Sequence, residues 1–130
     1  MKDFFAAREM RSKASEAAAL MKALSNRRRL LILCYLIDAG EMSVGTLATK
    51  VRLSQSALSQ HLARLREQGL VSFRRDAQTL FYRICDDRVE AIVRVLHQMF
   101  CGDPESFRES LMAQPAPTVK GEERGGEFTC

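Results

Sequence analysis

Gln55, Ser56, Ser59, Gln60, His61 and Arg64 lie close together and share a chemistry: short or forked side chains that donate or accept hydrogen bonds. Such groups can reach base edges and phosphate oxygens, where a carboxylate-rich face would be repelled. Between them Ala57, Leu58, Leu62 and Leu65 recur at i, i+1, i+5 and i+8, which gathers the apolar groups on one side of a helix. Ser54 is a good N-cap and Gly69 a C′ stop, so the spacing predicts a helix within Leu53–Gly69 whose other face is polar. Glu67, near its end, is the single acid in that stretch. An ordinary solvated surface would accept the same residues, and this helix alone does not choose between the two.

The flanking stretches do choose. Met42 to Val51 reads as a short helix, with Ser43 as cap and Val44, Leu47, Ala48 and Val51 as its buried stripe. Arg52–Leu53 is the whole link to the next helix, the tight spacing of a helix-turn-helix. Downstream, LVSFRR and TLFYRI are β-rich runs around Asp76–Ala77–Gln78, which reads as a hairpin. A hairpin directly after a recognition helix is a wing, with Arg74 and Arg75 expected at its tip. Together these features predict a reader of double-stranded DNA. Gln55, Ser56, Ser59, Gln60 and His61 are expected in the major groove. Ser54, Arg64, Arg74 and Arg75 are expected mainly on phosphates, with Gln78 and Thr79 of the wing turn also at the DNA.

Other elements must hold this unit. Ser12 to Leu24 carries the stripe Ala14, Ala17, Ala18, Met21 and Leu24, an amphipathic helix of small residues. Asn26 caps a second helix that opens with Arg27, Arg28 and Arg29. Those cations oppose the helix dipole and read as a solvated basic turn, useful if a phosphate lies nearby. Leu30, Leu31, Ile32, Leu33, Leu36 and Ile37 make that helix apolar nearly all round, so it should be the central core helix, ended by Ala39–Gly40. Asp86 caps a last helix with the stripe Val89, Ile92, Val93, Leu96 and Phe100, terminated by Gly102 and Pro104. The predicted fold is mainly α with a two-stranded β-hairpin wing: a winged helix-turn-helix in the order ααααββα. Residues 12–102 form one DNA-binding and dimerisation domain, after a frayed stretch 1–11. Residues 103–130 are expected to be a flexible acidic tail, with a weak helical patch at Ser106 to Met112. The terminal helices carry more apolar surface than one small winged domain needs. A homodimer would bury it and set two recognition helices about 34–36 Å apart on a palindrome.

With 130 residues and 46% hydrophobic content, the chain can build one modest core. No apolar run approaches the roughly 20 residues of a membrane span, and MKDFFAAREMR lacks a signal-peptide core, so the cytoplasm is the expected compartment. Net charge is +4, and residues 103–130 hold six acids against three bases, so the part before them is more basic still. That balance suits a polyanionic partner. Four cysteines in such a protein point to metal or redox chemistry, or to plain buried thiols, rather than to a disulfide framework. No Gly-rich phosphate loop or convincing acid/base pair suggests an enzyme, and no cofactor is implied.

MKALSNRRRLLILCYL, followed by SVGTLATKVRLSQSALSQHLARLREQGLVSFRRDAQTLFYRI, resembles the ArsR/SmtB family of winged helix repressors over residues 15 to 101. The likeness is nearest to its thiol- and persulfide-sensing branch, of the BigR, SqrR and HlyU type. That branch carries one cysteine in the second helix and one near the end of the last, positions that match Cys34 and Cys101. The resemblance implies a repressor whose DNA affinity changes when reactive sulfur species or oxidants link the two. The metal-sensing members differ. Where they have a Cys-x-Cys pair this chain has Met42–Ser43–Val44, Asp87 is followed by Val89, and Phe100 falls where a later histidine would be.

On the residues alone, Cys34 in an apolar helix reads as a small buried hydrophobe with a raised pKa. Cys101 is better placed to react. His97 and Arg94 near it would favour thiolate, and the helix C-terminal dipole would disfavour it. The sensing role for this pair therefore comes from the resemblance. Cys85 reads as structural, and Cys130 lies in the tail. Two other readings stand beside the redox regulator: a metal-responsive repressor, using Cys34, Cys101 and a third thiol, and a winged helix used only for protein contact.

Overall fold

A computed structural model describes residues 7–105 and 108–109. Among these residues five helices and three strands follow in the order α1 (Ala7–Leu24), α2 (Arg27–Ala39), β1 (Met42–Ser43), α3 (Val44–Val51), α4 (Gln55–Glu67), β2 (Val71–Asp76), β3 (Thr79–Ile84) and α5 (Asp87–Cys101). This is a winged helix. Of the expected tail, residues 110–130 lie outside the described residues, and the helical patch at Ser106 to Met112 lies mostly outside them.

The caps are where the short polar residues demand them. Asn26 accepts from the amides of Arg28 and Arg29, Ser43 from Thr46, Ser54 from Ala57 and Asp86 from Arg88. Gly40 and Gly69 end α2 and α4 at φ 86° and 75°, a region that disfavours residues bearing a Cβ. α2 is the central helix, packed on α1, α3, α5 and two of the strands. Its Ile32, Leu33 and Leu36 are buried with Leu47, Leu58, Leu62, Leu65 and Val89. Truncating any of these leucines or Ile32 to Ala would cost about 2–5 kcal/mol.

Three boundaries differ from those read in the sequence. α1 starts at Ala7, not Ser12, because Ala, Arg, Glu, Met and Lys sustain a helix beyond the apolar stripe. Met42–Ser43 is a strand rather than the first turn of α3, since it pairs with Tyr82 and Phe81 of β3. The sheet thus has three strands, ordered β1-β3-β2, with the hairpin wing on one side of β3. The turn of that hairpin is Ala77–Gln78, because Asp76 already pairs with Thr79.

The outer helices leave apolar surface uncovered. From α1 only Ala23 and Leu24 are buried, so Ala14, Ala17, Ala18 and Met21 of the expected stripe face outward. Phe100 was expected in the α5 stripe and is instead 79% exposed, beyond the last helix turn that the core supports.

Candidate functional site

α3 and α4 are joined by Arg52, Leu53 and Ser54, with Arg52 in the left-handed region at φ 58°. Leu58, Leu62 and Leu65 anchor α4 in the core. That anchoring turns Ser54, Gln55, Ser56, Ser59, Gln60 and Arg64 to solvent and leaves His61 half-buried. A cleft of about 690 Å³ on one flank of α4 brings Gln55 and Ser59 together with Gln78 and Thr79 of the wing and Thr46 and Thr49 of α3. Hydroxyl and amide groups from three elements thus face one space. Sequence reading missed Thr46 and Thr49, which lie outside the apolar stripe of α3.

Burial pushes the pKa of His61 down, and Arg29, Arg28 and Arg64 add to that shift. The imidazole is therefore held neutral at neutral pH, with one donor and one acceptor nitrogen available to a base edge. Arg29 shares a cleft with Gln60, Ala63 and Arg64 of α4, and Arg28 is its neighbour on α2. The RRR run is therefore not simply a solvated turn: Arg27 is exposed, but Arg28 and Arg29 are half-buried.

The two wing arginines part company. Arg75 is exposed. Arg74 lies further from the turn, opposite Phe81, and is not the tip residue expected. Its Nε and Nη2 donate to the Glu41 carboxylate at 3.2 and 2.7 Å, and its guanidinium covers the Phe81 ring at 4.5 Å. With 18% of its side chain exposed, Arg74 ties the wing to the α2–β1 link. The signal for this was Glu41 just before a strand, unreadable while β1 was taken for helix. Arg66 stacks on Phe73 at 4.9 Å, which braces β2 against α4.

Cys34 and Cys101 are free thiols on the packed helices α2 and α5, the first half-buried and the second exposed. Burial raises the Cys34 pKa, and proximity to Cys101 raises it further. A cleft of about 760 Å³ beside Cys34 is lined by Tyr35, Asp38, Arg94 and His97. Arg94 was expected to favour thiolate, yet its guanidinium is engaged by Glu90 at 2.8 Å. Among the described residues no group of three His, Cys, Asp or Glu side chains converges as a metal site.

A family model described as bacterial regulatory protein, arsR family, matches residues 26–72, from the cap of α2 into β2. The transcriptional activator HlyU of Vibrio cholerae is 50% identical over 93 residues, covering 72% of this chain and 85% of the relative. The chain belongs to the ArsR family. Solved ArsR-family structures agree in shape. Reduced HlyU from Vibrio cholerae superposes with a TM-score of 0.68 at 50% identity, covering 72% of this chain and 98% of that one. The transcriptional repressor BigR from Xylella fastidiosa gives 0.71 at 37% identity, covering 76% and 100%. As an ArsR-family member this protein is a DNA-binding transcription regulator and not an enzyme. No described helix is long and apolar enough to cross a membrane.

Proposed function

We propose that this chain is a homodimeric repressor that grips a palindromic operator through α4 and releases it when Cys34 and Cys101 are oxidised. The carrying observation is the face of α4. Its leucines are locked in the core while Gln55, Ser56, Ser59 and Gln60 stand exposed, Gln55 and Ser59 of them beside the wing. Gln can pair bidentately with adenine, and each such pair is worth about 1–3 kcal/mol of discrimination. Ser54, Arg64 and Arg75 take phosphates, and Gln78 and Thr79 meet the DNA from the wing turn. Arg74 acts at one remove, by fixing the wing to Glu41.

The switch follows from the unequal exposure of the two thiols. Exposed Cys101 is the first nucleophile toward a small persulfide, R–S–SH. Its thiolate takes the outer sulfur, releasing RSH and leaving Cys101–S–SH. The Cys34 thiolate then attacks the inner sulfur, forming the Cys34–Cys101 disulfide and expelling hydrogen sulfide. The two thiols lose two electrons and the transferred sulfur gains them. Because Cys34 is slow to ionise, this second step sets the rate at neutral pH.

Site selection from a random duplex pool with the reduced protein tests the groove reading. A palindrome with half-sites one helical turn apart is expected. Gln60→Ala should relax preference at one position per half-site, at a cost of about 1–3 kcal/mol. An unchanged consensus would remove α4 from the groove.

A further inference from the structure

The flank of α4 turned away from the wing is also concave. A cleft of about 620 Å³ lies there, lined by Lys22, Arg29, Gln60 and Arg64, with Glu67 as its one acid among the described residues. Arg28 joins this group from α2, since it acts on His61 together with Arg29 and Arg64.

Cations gathered this way repel one another, and those opening α2 also oppose its dipole. Three arginines elsewhere are each paired with a carboxylate: Arg74 with Glu41, Arg88 with Asp86 and Arg94 with Glu90. Among the described residues none of Lys22, Arg28, Arg29 and Arg64 is in an ion pair. The first amides of α2 are already satisfied, because Asn26 Oδ1 accepts from Arg28 N at 2.9 Å and Arg29 N at 3.1 Å. What remains on offer is side-chain charge. Arg29 lines the cleft with its guanidinium held in place, because Nη1 donates to the Ala23 carbonyl at 3.2 Å while Nε is buried without a hydrogen-bond partner.

A helix of about 10–12 Å diameter fills a major groove about 12 Å wide, so a sugar-phosphate strand runs along each of its flanks. We propose that Lys22, Arg28, Arg29 and Arg64 form a second phosphate clamp, which holds the DNA backbone on the α1–α2 side of α4 while the wing holds the opposite strand. The clamp rests on α4 lying in the major groove. It supplies affinity without sequence preference, since phosphates are the same at every site.

Fluorescence anisotropy of labelled duplex DNA across a salt series tests it. Each lost phosphate contact flattens the slope of log affinity against log salt by about 0.9. Arg28→Gln with Arg64→Gln should flatten it by about two and weaken binding roughly 60-fold at 0.1 M salt, equally on operator and random duplex. Arg28→Lys with Arg64→Lys should restore the slope, and Arg88→Gln, which removes one charge outside the clamp, should not move it. Should the Gln pair fail to fold, Arg64→Gln alone should flatten the slope by about one. A slope unchanged in these variants, beside a wild type that binds, overturns the clamp and the phosphate role of Arg64 but leaves α4 in the groove. A wild type indifferent to duplex DNA at every salt overturns the groove reading with it.

Discussion

Arg74, Arg88 and Arg94 each hold a carboxylate of their own chain, whereas Arg28, Arg29 and Arg64, which all act on His61, are in no ion pair among the described residues. Composition cannot show that division, because it depends on which side chains meet after folding. Arg74 and Arg75 are neighbours in the sequence, yet one is packed against Phe81 and the other stands in solvent. The polar face of α4 was legible because local helical spacing sets it. His61 provides a pH test at this scale. Its pKa falls below the usual 6.5 on folding, so below pH 6.5 the unfolded chain binds more protons than the folded one. Stability from this group is therefore present above pH 6.5 and is lost as pH drops below it. Thermal midpoints of wild type should fall more steeply than those of His61→Gln between about pH 6.5 and the folded-state pKa. Parallel curves would show that neither burial nor the arginines lower the pKa of this imidazole.

Elements were readable wherever a local rule governs them. Asn26, Ser43, Ser54 and Asp86 each cap the helix that follows, and Gly40 and Gly69 end theirs, as short-range chemistry requires. β1 was not readable, because two residues carry no period and only pairing with Tyr82 and Phe81 makes them a strand. The wing turn shows a residual cost. Ala77 has φ 61°, and of the two turn residues only it has positive φ, the sign pattern of a II′ turn that prefers Gly first. A Cβ in that region costs about 1 kcal/mol or more. Ala77→Gly should accordingly stabilise the fold by up to about 1 kcal/mol, less what glycine gives back as unfolded-state entropy. Chemical denaturation would read this as a higher midpoint at unchanged m-value. A lower midpoint would mean that the turn is not strained at Ala77.

At the scale of the molecule, the exposed large hydrophobic groups among the described residues lie on the outer helices. Met10 and Met21 on α1 are 41% and 55% exposed, and Val95, Met99 and Phe100 on α5 are 43%, 51% and 79% exposed. The sequence showed that these helices were amphipathic, but not that a single chain leaves them open, because partner surfaces have no local signature. In the proposed dimer these faces cover one another and set the spacing of the two α4 helices. Met99→Asp with Phe100→Asp should leave the helix content of the chain intact, yield monomers in sedimentation, and weaken operator binding by tenfold or more. A folded variant that sedimented as wild type would place the dimer contact elsewhere.

The proposed switch also belongs to the whole molecule, because it would join the core helix α2 to the outer helix α5. Passing from almost fully bound to almost fully free operator takes about 5.5 kcal/mol of differential affinity. A covalent tie between Cys34 and Cys101 can supply this if strain differs between the bound and free arrangements. The most direct test follows release of labelled operator from reduced protein as a small persulfide is titrated in, for wild type, Cys34→Ser and Cys101→Ser. Wild type should release the operator, with mass spectrometry showing the disulfide, while each variant should bind as tightly as wild type and stay bound. Release that persisted in Cys101→Ser would contradict the dithiol switch.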